Sequence, residues 1–445
     1  MRLRILAATA LAALLVGCGA PGSDSAQNKA KPKAAVAAKP DVSKAGNVTL
    51  TVWDQEVRGG QRKQIAELNK QFQAKYPNVK IKRVAKSFED LQKTLKLAVS
   101  GPDAPDVVQA NQGRRMMGEL VKARLLRPIG DYAKVYGWEQ RYSPLLLDLN
   151  RFSADGRQFG SGDLYGISQM GEIVGVYYNK RLVRDPPSTL ADFERSLAEQ
   201  KAKGKPPIRF GNLEGWPGIH EFESVLGQTA DKQKIRDFVF AKPGASFDTP
   251  EFRAAAAKIT GWVKQGYFNK GFNGTGYDPA WQAFGKGESP YLIAGTWVTA
   301  DVVDLLGAGN VGFMLMPGAD PAKPVSLGGE SLPFGITSSA KNPDVAAAYI
   351  DFLTDANAAK VLTDTDNLAA MKGAPAPSGG ASADVAAAWQ KLNDADGVIP
   401  YLDYATPSFY DEISAAIQDL LGGKQDPAQF TKGVQEKFDK WAASR

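Results

Sequence analysis

From Asn47 onward, apolar and polar residues follow two different periods along the chain. In Val48-Thr49-Leu50-Thr51-Val52-Trp53 every second residue is aliphatic and the others favour extended backbone, which predicts a strand. Ile65, Leu68 and Phe72 then recur at three- and four-residue spacing among polar neighbours, which predicts an amphipathic helix. Tyr76-Pro77-Asn78 breaks it, and Val79-Lys80-Ile81-Lys82-Arg83-Val84 alternates as a second strand. A helix around Leu91 to Val99 and a short buried strand at Pro105-Asp106-Val107-Val108 follow. Farther on, Ile173 to Tyr178 is strand-like, and Ser188 or Thr189 can cap a helix that starts near Leu190 with Asp192 in its first turn. Another helix is expected from Asn342 as cap, Pro343 in the first position and Asp344 next, burying Val345, Tyr349, Phe352 and Leu353.

The β-α-β-α-β order predicts an α/β fold with a mainly parallel sheet and helices on its faces. In such sheets ligands bind beyond the carboxyl ends of the strands. Trp53-Asp54-Gln55 and Gln109-Ala110-Asn111-Gln112 occupy two such ends, which makes Asp54, Gln55, Asn111 and Gln112 positional candidates for ligand contact. The body of about 400 residues exceeds what one core usually supports, so two lobes are expected.

The amino-terminal residues have no such periods. Arg2 and Arg4 precede an apolar run from Ile5 to Val16. A membrane-spanning helix needs about 20 apolar residues, so this run has instead the charge and length of a secretory signal. It ends in Leu15-Val16-Gly17-Cys18, which resembles the lipobox of bacterial lipoproteins. That resemblance implies cleavage before Cys18, a lipid on Cys18, and an extracytoplasmic protein anchored to the cell membrane. Residues 1–17 are then a signal peptide. Residues 18–46, rich in Ala, Lys, Pro, Gly, Ser and Asp, read as the lipidated cysteine and a disordered tether that reaches roughly 30 Å.

Composition removes several classes of function. Cys18 is the only cysteine, which excludes disulfides and leaves no second thiol for metal or catalysis. One histidine argues against the usual zinc cages, and neither a G-x-S-x-G elbow nor a phosphate-binding loop is present. The net charge of +6 is diffuse, with no basic-aromatic cluster, so nucleic acid is not an expected partner. No cofactor or metal is expected. A carboxylate pair would suffice for glycoside hydrolysis, so a secreted hydrolase or lyase stands as the alternative.

Seven pieces occur in order behind the lipobox-like run. They are Tyr76-Pro77; Pro105-Asp106-Val107-Val108; Leu125-Leu126-Arg127-Pro128-Ile129; Leu164-Tyr165-Gly166; Tyr178-Asn179-Lys180, with Pro186-Pro187 after it; Gly287-Glu288 leading to Gly295-Thr296-Trp297; and Lys341-Asn342-Pro343. In this the chain resembles the extracellular solute-binding proteins of carbohydrate importers, the group that includes maltose-binding protein, from about Asn47 to the end. The resemblance implies a two-lobed periplasmic-binding-protein fold, with two α/β lobes joined by three chain crossings around a ligand cleft. The crossings are expected near Ser168–Gly171, Ser326–Leu332 and Asn367–Gly373. Lobe one is then 47–168 plus 332–368, and lobe two 172–326 plus 374–445. It also implies a non-enzymatic, monomeric protein that passes a sugar, an oligosaccharide in the first instance, to the permease subunits of an ABC importer by closing its lobes.

Sugars are gripped by planar polar groups and by aromatic faces. The resemblance makes Trp297 a stacking platform, Glu172 a ligand-binding carboxylate past the first crossing, and Tyr410 an aromatic of the site. Trp216, in Gly215-Trp216-Pro217-Gly218, and Glu330, beside Gly328-Gly329, complete the candidates; His220, Tyr277 and Tyr404 are weaker ones. Gly113 stands where the maltose-binding pattern has a carboxylate, so direct maltose chemistry is not expected.

Overall fold

The computed structural model describes residue 36 and residues 38–444; Cys18 and the signal-like run lie outside the described residues. Two sheets organise the chain. In the first, β1 (Val48–Asp54) lies parallel to β2 (Val79–Ala85) on one side and to β3 (Val107–Gln109) on the other. The alternation read in the sequence is physical here, since Val48, Leu50 and Val52 are buried while Thr49 is exposed. Helices Gly59–Lys75 and Phe88–Ser100 connect these strands, the second capped by Ser87, whose side chain accepts from the Asp90 N–H at 3.1 Å.

A two-stranded hairpin, β4 (Arg151–Phe152) with β5 (Asp163–Leu164), precedes the second sheet. Its centre is β6 (Gly171–Asn179), buried along almost its whole length. β7 (Ile208–Arg209), β8 (Tyr291–Gly295), β9 (Val311–Met314) and β10 (Ser326–Glu330) build around it. β8, β9 and β10 all run antiparallel to β6, so the parallel expectation holds for the first sheet and not for the second. β11 (Phe334–Ile336) returns to the first sheet beside β3, and β12 (Val398–Ile399) pairs with β10 in the second. Thr189 caps the helix Leu190–Ala202 through its side chain, whereas Asn342 precedes the helix Pro343–Leu353 without a side-chain cap bond.

Three segments pass between the sheets side by side. Residues 168–170 lead into β6, and residues 331–333 join β10 to β11. The second passage is shorter than the expected 326–332 because Ser326–Glu330 is a full strand of the second sheet. The third segment lies against the first: the Gly171 N–H donates to the Leu368 carbonyl at 3.0 Å and the Ala370 N–H to the Gln169 carbonyl at 3.1 Å.

The expected tether to residue 46 is too long. Val42 is only 3% exposed, and Asn78 donates to the Val42 and Gly46 carbonyls at 2.9 Å each. Asp41 caps the short turn Val42–Lys44. The burial of Val42, the Asn78 amide and the Asp41 cap together hold a segment whose average composition is polar.

Candidate functional site

Between the two sheets lies a cleft with a cavity volume of about 80 Å³. The first sheet and its helices contribute Gln55, Arg58, Phe88, Glu89 and Asn111. The second contributes Glu172, Trp216, His220, Trp297 and the segment after β12, with Tyr401, Asp403 and Tyr404, followed by Tyr410.

Seven of the sixteen described lining residues carry an aromatic ring. Trp297 sits in a 3-10 turn at the end of β8, where Gly295 makes room: a Cβ on that residue would fall inside the indole ring. Its Nε1 donates to the Tyr277 hydroxyl at 2.8 Å, which fixes the ring plane. Tyr277 is thus a support behind the wall and not part of its lining. Trp216 opens the helix Trp216–Thr229, with its ring centre 4.5 Å from that of Tyr277 and 6.1 Å from that of Trp297. Its Nε1 is buried with no hydrogen-bond acceptor. His220, one turn on, packs against Trp216, Trp297 and Tyr401 at 5.1, 5.7 and 5.0 Å. Burial pushes its imidazole down to about 3, so it is neutral at physiological pH. Across the cleft mouth the Arg115 guanidinium lies 4.1 Å from the Tyr410 ring centre.

The remaining polar groups of the described lining are three carboxylates, three amides and one arginine. Burial raises the Glu172 carboxyl to about 8; Glu56 and Asp403 push the same way, while the Tyr401 hydroxyl and Arg58 act against the rise. Asp403 is raised to about 7, also by burial, with Arg115 opposing. Arg58 is bound to Asp278 at 3.1 Å.

Of the residues singled out in the sequence, Gln55, Asn111, Glu172, Trp216, Trp297 and Tyr410 meet in this cleft. Asp54, Gln112 and Glu330 do not line it. Asp54 is fully buried on the inward face of β1 and takes both Arg83 nitrogens, Nε at 2.7 Å and Nη2 at 2.6 Å. Gln112 donates to the Glu330 and Ser331 carbonyls at 3.0 Å each and accepts from the Tyr404 hydroxyl, which ties it to the second passage. Glu330 is buried against Asn150, whose amide donates to it. Sequence reasoning missed Arg58, Phe88, Glu89, Tyr401 and Asp403. The last two follow β12, a strand of two residues that is too short to show a period.

The cleft is flanked by contacts of uniform polarity. The first lobe supplies the cations: Arg58 meets Asp278 at 3.1 Å, Lys63 meets Asp304 at 3.7 Å, and Arg115 meets Asp411 at 3.0 Å. The Gly59 N–H donates to Asp301 on the same flank. Arg114 reaches the Val239 and Ala405 carbonyls at 2.9 and 2.8 Å on the other.

Comparison with known proteins gives a consistent set of likenesses. Residues 58–360 match the family described as bacterial extracellular solute-binding protein. The chain is 22% identical over 410 residues to an ABC transporter extracellular-binding protein of Pyrococcus horikoshii, covering 89% of this chain and 84% of that one. It is 25% identical over 355 residues to the maltodextrin-binding protein MdxE of Bacillus subtilis, covering 75% of each. A solved chitin oligosaccharide binding protein superposes with a TM-score of 0.74 at 23% identity, over 88% of this chain and 98% of that one, a likeness of fold.

Proposed function

The chain belongs to the bacterial extracellular solute-binding protein family, and on that premise we propose that its cleft binds a sugar, an oligosaccharide in the first instance, for delivery to an ABC importer. The observation that carries this reading is the wall itself. Aromatic faces from Phe88, Trp216, Trp297, Tyr401 and Tyr410 surround planar polar groups, and the two lobes contribute both kinds. Aromatic faces match sugar C–H patches, and amides and carboxylates match hydroxyls that both donate and accept. Lobe one comprises residues 47–168 with β11 and the two helices after it; lobe two comprises β6 to β10 and the chain from residue 374. A ligand touching both lobes favours the closed arrangement by its differential affinity, and the permease subunits read that arrangement.

The protein acts as a monomer and does not turn its ligand over. Relatives named for maltodextrin binding support binding without turnover, as does a wall in which aromatic faces outnumber acids. Cys18 carries the lipid that holds the protein at the membrane. Calorimetric titration with a panel of oligosaccharides tests the reading, with product analysis after a day. Saturable binding without cleavage is expected; cleavage that vanishes in Glu172→Gln would favour a hydrolase. For the anchor, Cys18→Ser should leave the membrane fraction, and retention as firm as wild type would refute it.

A further inference from the structure

Three carboxylates line the cleft, Glu89, Glu172 and Asp403, and none of them takes part in an ion pair. The described lining contains one cation, Arg58, whose guanidinium is already bound to Asp278. Arg115, near the mouth, is likewise held by Asp411. Such a cleft is short of positive charge, and charge removed from water without a partner is costly. Beside the carboxylates stand Trp216, Trp297, Tyr401, Tyr404 and Tyr410, and the π-faces of Trp and Tyr attract cations. A second feature is independent of the acids: Trp216 is 8% exposed, lines the cleft, and its indole N–H has no acceptor. A ligand that fits this lining brings an acceptor oxygen for Trp216 and a cation for the carboxylates.

We propose that the ligand is an amino sugar with a free, protonated amine, held by Glu172 and Asp403 within the aromatic wall while its hydroxyls engage Trp216 and the amides of Gln55 and Asn111. This deepens the sugar reading and rests on it. A neutral sugar supplies hydroxyl donors and acceptors but no cation, so the two carboxyls keep the protons that burial favours. An N-acetylated sugar does the same and adds bulk. Burial already raises Glu172 and Asp403 above the ordinary carboxyl range, with Glu56 adding repulsion and Arg58, Arg115 and Tyr401 opposing it. An arriving ammonium reverses that balance, so near neutral pH the two carboxyls lose protons when it binds.

The test is calorimetric titration of the purified protein with the glucosamine trisaccharide, its fully N-acetylated counterpart, maltotriose and cellotriose. The free amine is expected to bind at least about 10-fold more tightly than the N-acetylated form. Its binding heat should vary with the ionisation enthalpy of the buffer, which reports proton release. Glu172→Gln should remove the preference while retaining binding of the neutral trisaccharides; Asp403→Asn and Glu89→Gln serve if that variant unfolds. Neutral trisaccharides binding as tightly as the amine, with no proton release, would overturn the amine and leave the sugar reading intact. Failure of all four to bind would overturn both.

Discussion

On the proposed sugar reading, replacing Trp297 with alanine removes the aromatic face expected to contribute most to binding. The side chain is half-buried, with one part against the core and the rest facing the cleft. A whole tryptophan buries up to about 250 Å². One indole face against a sugar ring is about a third of that, roughly 80 Å², worth about 2 kcal/mol at 25 cal/mol/Å². At 1.4 kcal/mol per decade, Trp297→Ala weakens binding about 30-fold. Truncation also leaves the Tyr277 hydroxyl without its 2.8 Å donor, so Trp297→Phe is the control, which keeps most of the ring face and loses only that bond. Its expected loss is below about tenfold, since a neutral hydrogen bond is worth about 1 kcal/mol. Both variants are titrated calorimetrically after thermal unfolding establishes that they are folded. A folded Trp297→Ala that binds within about twofold of wild type refutes the platform assignment and moves the stacking role to Trp216 or Tyr410.

Asp54→Ala should cost about 3 kcal/mol in denaturant unfolding, because it strands Arg83 behind the first sheet, while sugar affinity per folded molecule stays unchanged. The unliganded protein should lose stability as pH rises from about 4.5 to about 8: burial raises Glu330 to about 8, so the folded state holds a proton that the unfolded chain has released. Glu330→Gln should flatten that fall, and an unchanged pH profile of its unfolding midpoint would refute the assignment. Raising ionic strength should weaken binding of a neutral sugar a few-fold by screening the flanking ion pairs. The triple change Asp278→Asn, Asp304→Asn, Asp411→Asn should remove most of that salt dependence; a dependence equal to wild type would show that these pairs do not hold the lobes.

Asp54 shows how a correct strand can yield a wrong site. The same period of two that predicts β1 continues through it, so Asp54 shares the inward side of Val48, Leu50 and Val52. A buried carboxylate needs a buried partner, and the neighbouring strand supplies one in Arg83, which pairs with Val52 in register. Gln55, one residue later, escapes the sheet and reaches the cleft. Glu172 and Glu330 were both expected at the site because both lie next to a passage between the lobes. They are neighbours across the antiparallel pair β6–β10, yet only Glu172 lines the cavity, while Glu330 is turned onto Asn150. Nothing in the sequence marks Asn150 as that partner, 180 residues away. The order of elements is local information; the pairing of buried polar groups is not.

The flanking contacts and the cleft divide the energetics of closure. Moving a two-state equilibrium from 1:99 to 99:1 takes about 5.5 kcal/mol. Surface ion pairs contribute about 0.2–1 kcal/mol each, so Arg58–Asp278, Lys63–Asp304 and Arg115–Asp411 together supply about 3 kcal/mol at most and cannot drive the shift alone. The polarity of these pairs has a different consequence: with all cations on one lobe and all anions on the other, the faces attract at a distance and align before any ligand contact forms. The remainder, at least about 2.5 kcal/mol, must come from groups that a ligand touches in both lobes at once. One indole face at Trp297 offers about 2 kcal/mol, and a hydrogen bond to a charged group such as Glu172 about 1.5–3 kcal/mol. Two such contacts on lobe two still do not bridge. A partner on lobe one is required, and Gln55, Asn111 and Glu89 are the polar groups placed to provide it. Specificity and closure therefore rest on the same few side chains, and a ligand too short to reach both walls binds without closing the lobes.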